Sequence, residues 1–145
     1  SDELNGFSHQ HVTTIKGNIL IRNDSAIMIS PEMYAGQVAA HDEFVLKEMK
    51  GGGIHACGQI DFNIAEIFNL PSIQCFDFGQ SDMNDLDFVY SLAKEKKIPL
   101  VRIRAEKDEL LSGKIKKRFP TGVSLIYNAS SFEEAKFVAQ AYKVF

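Results

Sequence analysis

The chain has 145 residues, 45% of them hydrophobic and 24% charged, with a net charge of -3 at pH 7 and a pI near 5.8. That supports one soluble globular core and excludes a segment able to span a bilayer. Acids and bases are interspersed, so no basic face for a phosphate backbone is expected and nucleic acid is excluded as a partner. Two cysteines and the lack of a signal-peptide pattern point to a cytoplasmic protein instead of a disulfide-stapled secreted one. Ser1 is not a natural initiator, which is expected of a processed or recombinant end or of a piece of something longer.

Residues 1–16 are polar and mixed and are expected to be a solvated leading segment, with 17–145 forming one domain. His9 and His11 are spaced as a possible metal pair but lack a nearby third ligand. Gly17 to Ile21 reads as a short apolar strand ending in the turn Arg22-Asn23-Asp24-Ser25. Ser30-Pro31-Glu32 then supplies an N-cap, a proline at the first helical position and an acid in the first turn. The spacing predicts a helix whose inward face is Tyr34, Val38, Val45 and Met49, with Phe44 beside them, stopped by Gly51.

A second strand is predicted over Ile54 to Cys57, followed by a short helix from Asp61 to Phe68 that Asn69-Leu70-Pro71 ends. The third strand runs from Ile73 to Phe78. The next helix lies near Asn84 to Lys97, with acids at its start and lysines at its end to match the helix dipole. Pro99 opens a fourth strand, Leu100 to Ile103, and a helix over Asp108 to Lys117 is weakened by Gly113. Gly122 to Tyr127 is the fifth strand, and Ser131 with Glu134 has the spacing of a capping box for the last helix. Five near-continuously apolar strands alternating with helices over short connections predict an α/β fold with a parallel sheet.

The chemistry concentrates in Gly51-Gly52-Gly53-Ile54-His55-Ala56-Cys57-Gly58. Side chains two apart on a strand point the same way, so His55 and Cys57 aim at one place. An imidazole and a thiolate suit zinc, and a third ligand from a neighbouring strand end, Asp77 or Cys75, would be needed; the alternative is a small core cysteine beside a hydrogen-bonded histidine. Asp24 and Ser25 follow the first strand and either face the same mouth or form an ordinary Asx turn. Asp77 lies between Phe76 and Phe78, where an unpaired carboxylate is costly, so it is a candidate for the site or else a helix cap.

Asn23-Asp24-Ser25 with Ile29-Ser30-Pro31-Glu32-Met33-Tyr34, then Gly51 to Gly58, then Asp77-Phe78-Gly79-Gln80 and Asn84-Asp85, resembles the uroporphyrinogen decarboxylase-like superfamily, which includes the corrinoid-dependent methyltransferases. The resemblance covers the chain from about Gly17 and implies the carboxyl-terminal part of a TIM (βα)8 barrel. Five strands do not close such a barrel, so it implies a missing half, present either in a longer chain or in a second copy. In the methyltransferase branch it implies His55 and Cys57 as zinc ligands, Asp24 and Asp77 as catalytic groups lining the mouth, and Ser25, Gly58 and Gln80 as substrate contacts. It also implies a small-molecule substrate and a corrinoid carried on a partner protein. That branch usually draws a third ligand from a cysteine on the last strand, and Gly122 to Asn128 has none. The other implied activities are decarboxylation of an acidic tetrapyrrole without metal, using Arg22, Arg102 and Arg104 as cationic groups, and an inactive fragment or half-barrel that completes another subunit.

Overall fold

The computed structural model describes residues 6–145; the first five residues of the expected leading segment lie outside them. A two-stranded antiparallel ribbon, β1 (Gly6–Phe7) with β2 (Thr14–Ile15), precedes a parallel sheet. The sheet contains β3 (Ile19–Arg22), β4 (Gly52–Ala56), β5 (Ile73–Phe78), β6 (Leu100–Arg104) and β7 (Val123–Ile126), adjacent in space in that same order. Between them run α1 (Pro31–Met33), α2 (Ala39–Glu48), α3 (Ile64–Phe68), α4 (Leu86–Lys96), α5 (Lys107–Ser112) and α6 (Lys114–Arg118), and α7 (Phe132–Tyr142) follows β7.

Strand order equal to chain order means that successive crossovers step in one direction across the sheet. Right-handed connections then place every helix on the same face. The packing agrees: Ile54, Ala56, Phe76, Phe78, Leu100 and Ile103 share one buried cluster with Tyr34, Leu46, Ile67, Val89, Leu110, Ile115 and Val138 from the helical side. Removing such a side chain from water contributes about 1.5–3 kcal/mol. On the other face Cys75 and Val101 form a separate small cluster with Ile15 of β2, and Leu20 packs against it. No helix covers that face among the described residues; the β1–β2 ribbon does.

Residues 6–15 therefore differ from the expected solvated segment. Ile15 and Ser8 are buried, and Ser8 closes the ribbon by donating its N–H to the Thr13 carbonyl at 2.9 Å and accepting from Thr13 N–H at 3.1 Å. Alternation is too short in a two-residue strand for a sequence pattern to reveal it.

The first long helix also departs from expectation. Ser30 caps it, accepting from Met33 N–H at 3.2 Å, and Pro31 opens it, as the sequence predicts. A π-helical turn over Tyr34–Val38 then inserts a residue before α2. The inward face consequently moves from Val45 to Leu46, which is fully buried, while Phe44, Val45 and Met49 are exposed. The same shift turns Asp42 inward, where it accepts from Tyr34 Oη and Asn23 Nδ2, each at 2.8 Å.

Gly113 breaks the predicted 108–117 helix into α5 and α6 by adopting φ +69. At α7, Ser131 Oγ accepts from Glu134 N–H at 3.1 Å, but the Glu134 carboxylate takes Ser130 N–H and Lys107 Nζ instead of closing a reciprocal box.

Candidate functional site

Three loops meet at the carboxyl ends of β3, β4 and β5. Register pairs Arg22 with His55 and His55 with Asp77, so the residues that end these strands lie side by side. Asp24 follows β3 on a tight turn, and its Oδ1 accepts the backbone N–H of Cys57 at 3.0 Å. That bond draws the Asp24 carboxylate over the end of β4. His55 Nε2 lies 3.3 Å from Cys57 Sγ and 3.5 Å from Asp24 Oδ1, and all three ligand atoms fall within 4.8 Å of one another.

The other side of His55 is anchored. Its Nδ1 lies 3.1 Å from Asp77 Oδ2, and both side chains are fully buried. Asp77 also accepts Arg102 Nε at 2.6 Å through Oδ1 and the His9 backbone N–H at 2.8 Å through Oδ2. A carboxylate receiving these donors is the natural acceptor for an Nδ1 proton, which assigns the Nδ1–H tautomer and leaves the Nε2 lone pair facing Cys57 and Asp24. Arg102 Nη2 lies 3.3 Å from the same Nδ1, a contact that is not a hydrogen bond in this tautomer. The His9 ring lies over the His55 ring, with centroids 4.6 Å apart. Burial first, and then the neighbouring His55, Arg22 and Arg102, push the His9 pKa down against a smaller opposing pull from Asp77.

Arg102 reaches this place through an irregular backbone. The β6–β7 ladder shifts register between Leu100 and Ile103, and Arg102 has φ +62, in the left-handed region that non-glycine residues enter at a cost of order 1–3 kcal/mol. A bulge of this kind re-aims a side chain. Here it puts a guanidinium against Asp77 and His55 in the layer where regular alternation already points Val101 to the same face as Cys75.

The thiol of Cys57 is pushed up by burial first and by the Asp24 carboxylate second. Burial above all, and then the adjacent Asp24, thus disfavour its thiolate form. Gly58 turns the chain away at φ +76, and its N–H donates to Gln80 Oε1 at 2.6 Å. Asn84 clamps the same loop: Oδ1 accepts from Ile60 and Asp61 N–H, and Nδ2 donates to the Gly58 and Gln80 carbonyls. Gly79 is needed for contact, since a Cβ there would lie 2.5 Å from Cys57 Sγ.

The expected residues are thus distributed unevenly. Asp24, His55 and Cys57 converge. Asp77 stands behind His55, on the ring nitrogen turned away from Cys57, and so orients the imidazole. Cys75, the other expected third ligand, lies in the apolar cluster with Ile15 and Val101, and burial raises its pKa to about 12. Gly58 and Gln80 bond to each other, and Ser25 is exposed beside Asp24. His11 packs against Phe7 and is not part of the cluster. The roles of Arg102, His9 and Asn84 escaped the sequence because each acts through a partner 24 to 68 positions away.

The two separations from His55 Nε2 are compatible with zinc, and the third lies within 4.8 Å. Metal–ligand distances of about 2.0–2.3 Å in a tetrahedral site separate ligand atoms by roughly 3.3–3.8 Å, and the two separations from Nε2 fall in that range. The donor set of one imidazole, one thiol and one carboxylate leaves a fourth position, the arrangement of catalytic zinc sites. No family model, curated protein or solved structure matches the chain.

Proposed function

We propose that the chain is a methyltransferase-like member of the uroporphyrinogen decarboxylase-like superfamily, in which Asp24, His55 and Cys57 hold zinc at the mouth of a partial (βα)8 barrel. The observation that carries this reading is the convergence of three electron-rich atoms that share a single side-chain proton, that of the Cys57 thiol, with the Nδ1 side of His55 fixed by Asp77. A cation would take the place of the thiol proton that Cys57 shares with Asp24 and His55. When bound, the ion supplies Lewis acidity that lowers the pKa of a substrate thiol. Asp77 holds the imidazole in the tautomer that offers Nε2, and Arg102 balances the buried carboxylate. The thiol proton leaves to solvent, and its sulfur attacks a methyl carbon whose leaving group keeps the bonding pair. A methylated corrinoid on a partner protein is the donor in this reading.

The five-stranded sheet supports the barrel assignment through its chain-order topology and single helical face. Among the described residues its outer strands β3 and β7 each pair on one side only, and the missing half of the barrel, in a longer chain or a second copy, would cover both. A metal-free reading also has a geometric basis, since Cys57, His55 and Asp77 are spaced as a nucleophile, base and orienting acid. Burial and Asp24 raise the Cys57 thiol, the reverse of what a nucleophile needs, so the metal reading is preferred.

Cobalt(II) substitution tests it. Adding a small thiol such as 2-mercaptoethanol to the cobalt-loaded chain should intensify the sulfur-to-metal charge-transfer absorption as a second sulfur enters the open position. A spectrum unchanged at saturating thiol would count against thiol activation.

A further inference from the structure

Beside Cys57 lies a second, separate cavity of about 150 Å³, walled by Gln10, Phe78, Gly79, Ser81, Arg102, Arg104, Ile126 and Asn128. Its lining holds no carboxylate, although Asp24, Asp77 and Asp82 are all close by in the fold. What it holds instead is unspent donors. Ser81 is 2% exposed; its Oγ accepts the Arg104 backbone N–H at 2.8 Å, and no acceptor takes its own proton among the described residues. Arg102 is 8% exposed; Nε donates to Asp77, Nη2 lies against the His55 ring, and Nη1 has no partner among the described residues. Arg104 pairs with Asp82 only through one nitrogen at 3.3 Å, between half-exposed groups, which leaves most of its fork available. Gln10 and Asn128 add amide groups at the rim. A half-used hydroxyl and a half-used guanidinium in the wall of one cavity are available to an acceptor that enters it. The left-handed backbone at Arg102, which delivers that guanidinium, is a cost the fold tolerates here.

We propose that this cavity is a subsite for a carboxylate group of a small ligand, bound between Arg102, Arg104 and the Ser81 hydroxyl. The planar fork of a guanidinium matches a carboxylate. Arg102 is paired with Asp77 and Arg104 in part with Asp82, so the site carries at most about one unbalanced positive charge and suits a monoanion better than a phosphate dianion. Because Gly79 lines the cavity and touches Cys57, a ligand anchored there extends directly to the sulfur. The subsite needs no metal, so its test is independent of the zinc reading.

The test uses the full chain stripped of metal with a chelator, titrated with acetate, with inorganic phosphate and with uncharged glycerol. The readout is the amide resonances of Gly79, Ser81 and Arg104 and the arginine Nε–H signals. Acetate should shift these saturably, and Arg104→Gln should weaken its binding about tenfold, in line with loss of one charge-assisted hydrogen bond. Asn128→Asp, which adds a carboxylate at the rim without touching the buried network, should weaken it by a similar factor. Tighter binding of phosphate than of acetate would overturn the carboxylate assignment. No saturable shift with either anion, or shifts that both variants leave unchanged, would overturn the subsite.

Discussion

The helix-free face of the sheet has two ends, each with a cysteine, and they behave in opposite ways. At the amino end Cys75 sits with Val101, Ile15 and Leu20, and its thiol is pushed up to about 12 because nothing stabilises a charge there. At the carboxyl end Cys57 sits two residues beyond His55, under Asp24, with Asp77 and Arg102 behind. The two residues share a type and a sheet, and only the second has partners with which to do chemistry. Residue type nominates a site; the groups that the strand register brings alongside decide it.

The largest expected effect comes from unbalancing the polar end. Arg102→Met leaves Asp77 buried with its strongest partner gone, and should lower stability by about 3–5 kcal/mol in a urea titration. Stability close to wild type would mean that the Asp77 charge is solvated, and that the two ends differ less than the contacts imply.

The apolar end should reveal itself in alkali. Since the folded Cys75 thiol titrates near 12 and its ordinary value is 9.0, the folded state binds the proton more tightly. Stability therefore falls as pH rises from 9 toward 12, by up to about 4 kcal/mol. Tyr34, whose hydroxyl is raised by burial and by Asp42, adds loss of the same sign. Comparing denaturation of wild type and Cys75→Ala across that range isolates the cysteine, whose variant should lose less stability with pH. Parallel curves would show that Cys75 does not titrate in a buried setting.

A smaller effect separates the two roles of aspartate at the polar end. Asp77→Asn keeps the shape but weakens the hold on His55 Nδ1, and should reduce zinc affinity 10–100-fold in a competition titration. Asp24→Asn should reduce it too, and should also lower the Cys57 thiol pKa, measurable from the rate of alkylation against pH. An Asp24→Asn variant with an unmoved thiol profile would remove the pairing that favours a cation. Smallest of all, Asp82→Asn removes an exposed ion pair and should change stability by less than about 0.5 kcal/mol.

Much of the fold was legible because its signals are local. Ser30 with Pro31, Asp85 at the start of α4 and Gly113 within its helix act over three or four residues, and the strands announce themselves as apolar runs. His55 and Cys57 were legible for the same reason. The π-turn at Tyr34–Val38 was not, since its extra residue is accommodated by the buried Asp42 network and leaves no periodic trace before the shift. Nor was the placement of Asp24, instead of Asp77 or Cys75, beside Cys57 and His55 Nε2. It depends on the β3–β4–β5 register and on which side of His55 each carboxylate reaches, neither of which a linear spacing contains. Arg102 points to the site only because of a bulge at its own position, a feature set by pairing with β7.

The central claim is that Asp24, His55 and Cys57 form a zinc site. Elemental analysis of the fully reduced chain after equilibration with zinc and exhaustive dialysis tests it most directly, with Cys57→Ser and Cys75→Ser in parallel. The account predicts stoichiometric zinc in wild type and Cys75→Ser and little in Cys57→Ser. Wild-type protein with zinc no higher than background, or a Cys57→Ser variant that retains it fully, would contradict the account.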